Sequence, residues 1–244
     1  MKNIFKILFF ITLFNVISFG QNINPTKLFV QDLQTTMARY DENGKLKATI
    51  SGNYQNIVRD GQNLSVRALT NFLDSNGTSQ LIRDFGFKMN TNSITNQYSF
   101  FVDIRYFLPF NIALQYKNYG LVTSGSAYDI PSQVTIGQTL NPITMNYTFA
   151  PNVAGLSTAT TTIKFLNRTI TKREKVTVPA GTYMCYVITE DVEIKTNVTT
   201  KRKVTRWVNH EIGFVKTETR DISGILLETE KLTRFQNPTV LNGK

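Results

Sequence analysis

Between Glu174 and Phe235 the chain repeats one arrangement, a short run of alternating apolar and polar residues followed by a cluster of turn formers. A period of two puts every second side chain on one face of a strand. Turn clusters at nearly regular intervals join such strands into an antiparallel meander. The closing turn, Asp221-Ile-Ser-Gly224, copies an earlier one, Asp41-Glu-Asn-Gly44. Asp opening a tight loop and Gly ending it suit a type I turn followed by a left-handed residue. Asp74-Ser-Asn-Gly77 is a third loop of this kind. The echo extends to Asp-x-x-Gly-x-Leu-x-x-Thr at 41–49 and 221–229. It reads as convergence of hairpin loops, not as duplicated halves.

The same alternation runs through the earlier chain. Leu33–Tyr40 and Lys45–Ile50 form one hairpin, and Leu64, Val66, Ala68 and Phe72 face Leu81, Phe85, Phe87 and Met89 in another. Tyr98–Tyr116 is the most apolar stretch beyond the N-terminus. Its first half predicts a strand with Tyr98, Phe100, Val102, Ile104 and Tyr106 on one side. After Pro109 the spacing of Phe110, Ala113 and Leu114 predicts a short helix. Extended segments follow over Tyr119–Ile130, Ile143–Phe149 and Thr158–Thr171, with a loop that carries a short strand at 131–140. The expected fold is all-β: an antiparallel meander curved into a sandwich or incomplete barrel, with one short helix near 108–117. A single domain is expected over 33–235, preceded by a flexible lead-in at 21–32 and followed by a disordered tail at 236–244.

The N-terminus sets the compartment. Met1–Lys6 is basic, Ile7–Ile17 is apolar, and Ser18-Phe19-Gly20 supplies small residues. This is the pattern of a secretory signal over 1–20, with cleavage after Gly20. No later apolar run approaches the ~20 residues that cross a bilayer. The mature chain is therefore expected to be exported: periplasmic, outer-membrane-associated or extracellular. The single cysteine, Cys185, sits among apolar neighbours and is expected in the core. The formal net charge is +10, but the basic residues are spread over many strands and cluster only briefly, at Lys172–Lys175 and Lys201–Lys203. Nucleic acid is not expected as a partner.

No set of residues assembles a catalytic site. A nucleophile–base pair needs a histidine, and the only one, His210, lies in a polar loop and reads as a solvated turn residue. One His and one Cys do not build a zinc site, and no cofactor is expected. Asp191 with Glu193, and Glu228 with Glu230, each share a strand face. Lys201–Arg206 offers cross-strand cations, so both pairs read as ion-paired sheet surface. The aromatic stretch remains. Phe100, Tyr106, Phe107, Phe110 and Leu114 are the candidate lining of an apolar pocket, because a curved sheet with a helix across its opening can hold one small ligand. The alternative is that the same side chains plug the core.

Several segments together resemble the TapB-like family of exported proteins from Gram-negative bacteria. They are Val176-Thr-Val-Pro-Ala-Gly-Thr-Tyr-Met-Cys-Tyr186, Trp207 with Ile212–Lys216, Val134–Leu140, Tyr40–Leu46, and Leu108-Pro109 with Gln115–Lys117. The resemblance covers about 33–235 and departs from the family's pattern at His210-Glu211 and at 151–157. It implies a β-rich fold and assigns no activity. The expected function is that of an exported, non-catalytic envelope protein that binds a protein partner or a small apolar ligand. The alternatives are a structural or surface-interaction protein that uses sheet edges and basic faces, and a carboxylate-dependent hydrolase.

Overall fold

The computed structural model describes residues 27, 29–61, 63–92, 97–131, 133–152 and 157–236. The expected signal with its cleavage after Gly20, much of the lead-in, and the tail past Gln236 lie outside the described residues. Strands β1 (Gln34–Asp41), β2 (Leu46–Asp60), β3 (Asn63–Asp74), β4 (Ser79–Asn92) and β5 (Gln97–Val102) form a first meander. A 3-10 turn (Ile104–Phe107), helix α1 (Phe110–Gln115), β6 (Tyr119–Gly125) and β7 (Tyr128–Pro131) follow. A second meander holds β8 (Ile143–Pro151), β9 (Ala159–Val178), β10 (Gly181–Lys195), β11 (Thr199–Asn209), β12 (Gly213–Arg220) and β13 (Leu226–Gln236). All join one antiparallel sheet in the order β6-β8-β9-β10-β11-β12-β13-β1-β2-β3-β4-β5-β7. The pairing of β1 with β13 welds the two meanders.

The sheet curls but its ladder stays open. Its two edges, β6 and β7, are consecutive in the chain, separated only by Ser126 and Ala127. An edge-to-edge step of two residues is possible only if the sheet bends round until its edges nearly meet. The crossing is tight at Gly125, whose φ is +108°. A Cβ there would stand 2.2 Å from the Thr144 carbonyl oxygen, the same oxygen that accepts the Ser126 amide at 3.0 Å.

Alternation places the core. Leu64, Val66, Ala68, Thr70 and Phe72 of β3 are buried in a strict period of two. Leu64, Val66 and Ala68 join residues of β4, β5 and β7 to β12 in the main apolar cluster inside the curl. A second cluster holds Val178, Cys185, Val187, Trp207, Val215 and Leu232. It forms where the tip of the β9–β10 hairpin packs against β13, with the Ala180 amide donating to the Leu232 carbonyl at 3.2 Å. The Trp207 indole donates to Glu174 at 2.7 Å. Burial pushes the Cys185 thiol up to about 12, so it is an inert core group.

The fold departs from the expectations at several points. The strand expected through Tyr106 ends at Val102, because Asp103 caps the next turn: its carboxylate accepts the Arg105 amide at 2.8 Å and the Gly86 amide at 3.3 Å. His210 is not a solvated turn residue. Asn209 Oδ1 accepts the Glu211 amide and satisfies the turn, while the imidazole packs edge-on against Tyr186 with ring centroids 4.4 Å apart. Both ring nitrogens are buried without a partner among the described residues. Burial, with Arg173 adding to it, pulls the imidazole down to about 4. Within the expected lead-in, Phe29 is buried edge-on against Phe100 at 6.4 Å.

Candidate functional site

The 3-10 turn and α1 lie inside the curl against β4 and β6, and are held there by the Tyr147 hydroxyl, which donates to the Ile104 carbonyl at 2.5 Å. Between this segment and the sheet is a cavity of about 1150 Å³. One wall is aromatic. Phe72 stacks on Phe110 at 5.6 Å, Tyr106 meets Phe85 edge-on at 5.2 Å, and Phe107 meets Phe165 edge-on at 5.2 Å. Ile163, Val192, Ile194 and Val204 continue the apolar lining across β9 to β11.

Opposite stands a polar floor, generated by register. Arg206, Thr217, Glu230 and Arg39 are successive cross-strand partners over β11, β12, β13 and β1. Val204, Thr219 and Glu228 form the neighbouring row. Arg39 Nε donates to Glu230 at 2.9 Å and lies 3.2 Å from Glu228. Burial, with Glu230 beside it and Arg39 opposing, pushes the Glu228 carboxyl up to about 7. The sequence-based expectation for this pair is therefore corrected: Glu228 and Glu230 face the cavity and pair with Arg39, not with the cations of β11. Asp191 and Glu193 differ. Glu193 pairs with Lys201 at 2.8 Å, and Asp191 accepts from Asn167 at 2.7 Å.

Arg206 at the end of the floor belongs to a buried ionic cluster that sequence reasoning missed. Its Nε donates to Glu190 Oε1 at 2.6 Å, and the Tyr128 hydroxyl donates to Oε2 at 2.8 Å. Arg168 approaches the same oxygen at 3.5 Å, and donates to Asp129 and to the Asn141 carbonyl, each at 2.8 Å. The Arg206 guanidinium lies 5.2 to 5.8 Å from the rings of Phe107, Tyr128, Phe165 and Phe214. Burial works against the charge of Arg206, but Glu190 more than offsets it and the pKa is raised. Desolvation and Glu190 together raise Tyr128, which stays a hydrogen-bond donor.

Of the five residues singled out as pocket lining, Tyr106, Phe107 and Phe110 border the cavity. Phe100 instead borders two small voids of about 20 and 40 Å³, beside His210 and beside Tyr54. Leu114, half-buried on α1, borders none of the three. Among the described residues no group of three or more His, Cys, Asp or Glu side chains gathers to hold a metal ion. No helix among them is long and apolar enough to cross a membrane. The site therefore offers an apolar body, a cross-strand row of hydroxyls and charges, and a carboxyl that titrates near neutrality.

Two solved structures share this fold. An inferred exported protein with a YmcC-like fold from Bacteroides fragilis aligns with a TM-score of 0.70 and 19% identity, over 84% of this chain and 96% of its own. An inferred lipoprotein from Parabacteroides distasonis aligns with a TM-score of 0.65 and 16% identity, over 85% of this chain and 98% of its own. At such identities the likeness is one of fold alone. No curated protein matches the chain. The model of the family described as DUF3108-like matches residues 32–232, from just before β1 into β13, and so takes in nearly the whole sheet. The chain belongs to the DUF3108-like family.

Proposed function

We propose that this is an exported, non-catalytic protein of the cell envelope whose curled sheet holds a small molecule with a largely apolar body. The cavity carries this reading. Sites for small ligands are concave, mainly apolar, and furnished with a few convergent polar groups, with volumes of about 300–1,000 Å³. The space inside this sheet, about 1150 Å³, is slightly larger than that and sets an aromatic wall against a broad floor of charged and hydroxyl groups. Export is supported by the N-terminal pattern at 1–20 and by the descriptions of the two structural neighbours. A periplasmic or outer-membrane-associated setting, and the narrower resemblance to TapB-like proteins, belong to the same reading.

The alternatives have less support. Carboxylate-dependent hydrolysis of a glycan needs two carboxyls on opposite sides of the scissile bond. Glu228 and Glu230 lie two residues apart on one strand and share Arg39. A role for basic sheet faces is weakened by pairing, since Lys172 meets Glu174 at 2.9 Å and Lys216 meets Glu218 at 2.7 Å. Native mass spectrometry on protein purified from its own cell envelope tests the proposal. A bound small molecule that organic extraction removes is the expected result. Consistently bare protein that also excludes an apolar dye would overturn it.

A further inference from the structure

The charges around the cavity are unevenly matched. Arg206 is held by Glu190, and Arg39 by Glu230 and Glu228. Arg202 is the exception. It borders the cavity from β11, its Nη1 donates to the Lys201 carbonyl at 3.0 Å, and among the described residues no carboxylate pairs with it. The cavity end where it stands is also the more exposed and polar end. Thr196 and Asn197, in the exposed β10–β11 turn, and the half-buried Thr200 line it with hydroxyl and amide groups. Beside this end, on β9 and β10, the lining is apolar: Ile194 and Ile163 continue the cross-strand row of Thr200, and Val192 and Phe165 that of Arg202. This end is cationic and polar, and the wall of β9 and β10 beside it is apolar.

Resting on the reading that this cavity holds a ligand, we infer that the ligand is a long-chain amphiphile with a single anionic head, of fatty-acid type. The carboxylate lies against Arg202 and Thr200 at the rim, and the acyl chain runs inward along the apolar wall. A cationic head finds no carboxylate at this rim: the acids nearest the cavity, Glu228 and Glu230, stand on the β13 floor and share Arg39. A neutral head gains hydroxyl contacts but leaves the guanidinium without an anion. Guanidinium and carboxylate form charge-assisted hydrogen bonds about twice as strong as neutral ones.

Calorimetric titration of the mature protein with saturated fatty acids of increasing length, the matching alcohols and the matching alkyltrimethylammonium ions tests this. Affinity for the acids is expected to tighten about fourfold per added methylene, as chain burial dictates. The acid is expected to bind about tenfold tighter than the alcohol, the worth of a hydrogen bond to a charged group. Arg202→Gln is expected to abolish that preference and leave the alcohol's affinity unchanged, while Arg202→Lys keeps most of it. Equal binding of acid and alcohol, tightest binding of the cationic amphiphile, or equal weakening of acid and alcohol by Arg202→Gln overturns the anionic head but leaves a ligand-binding cavity. Absence of binding by all three classes overturns the cavity reading itself. Arg202 is only half-buried, so the variant folds, which thermal melts check.

Discussion

Glu190 is the residue on which the interior most depends. Its side chain is fully buried and balances two buried arginines, Arg168 and Arg206. Removing one member of such a set leaves an uncompensated charge in a low-dielectric site, which costs about 3–5 kcal/mol. Glu190→Ala is therefore expected to lose stability of that order in urea denaturation; a loss below about 1 kcal/mol would show that water reaches the cluster. Glu228 has the opposite character. Its carboxyl rises from an ordinary 4.5 to about 7 in the fold, so the folded state holds a proton that the unfolded chain releases. The stability this contributes is fully present below about pH 4.5 and is lost as pH rises through about 7. Glu228→Gln cannot ionise. Its melting temperature is expected to match the parent's below pH 4.5 and to exceed it above pH 7, and parallel pH profiles would contradict the assignment.

Both kinds of site leave a trace in the strand pattern. Glu190 sits in Ile188-x-Glu-x-Val192, and Arg206 in Val204-x-Arg-x-Val208. An acid and a base each at an apolar-parity position of adjacent strands are the mark of a buried pair, because parity alone decides which face a side chain takes. Arg168 was harder to read. The apolar parity shifts between Phe165 and Ile170, where Asn167 adopts a φ of +50° and the register with β10 slips. A bulge of this kind re-aims the next side chain inward.

Among the elements, the hairpins were the most legible. All three Asp-x-x-Gly loops form the same way: the Asp carboxylate accepts amides two or four residues on, as at Lys45, Thr78 and Ile225, each at 2.9 Å. The closing glycines have φ of +78°, +81° and +94°. Local chemistry decides such loops, so they could be read without tertiary knowledge. The crossing at Gly125 could not. Nothing near it in sequence announces that β6 and β7 belong to opposite edges. Its constraint is steric as well as conformational, and a matched pair of variants separates the two. At Gly44 an added methyl meets open space, and Gly44→Ala is expected to cost about 1 kcal/mol for the left-handed backbone alone. Gly125→Ala adds a clash with the Thr144 carbonyl, and its expected cost is about 3 kcal/mol or more. Similar denaturation midpoints for the two variants would mean that the crossing is looser than the structure has it.

At the scale of the whole molecule, the cavity follows from the curl of the sheet. A flat sheet of these strands would show the row Arg206, Thr217, Glu230 and Arg39 to solvent as an ordinary polar stripe. Curling turns that stripe into the floor of a cavity and sets it opposite Phe107 and Phe110. The all-β class, the meander, the short helix and the buried Cys185 were written in local periodicity and turn chemistry, which act over a few residues. The inward facing of Glu228 and Glu230, the burial of His210 and the division of the aromatic stretch were not. There Tyr106, Phe107 and Phe110 line a cavity while Phe100 packs elsewhere. Each depends on which strand lies beside which and how far the sheet bends. Those are contacts between residues as far apart as Arg39 and Glu230, and only the folded chain brings them together.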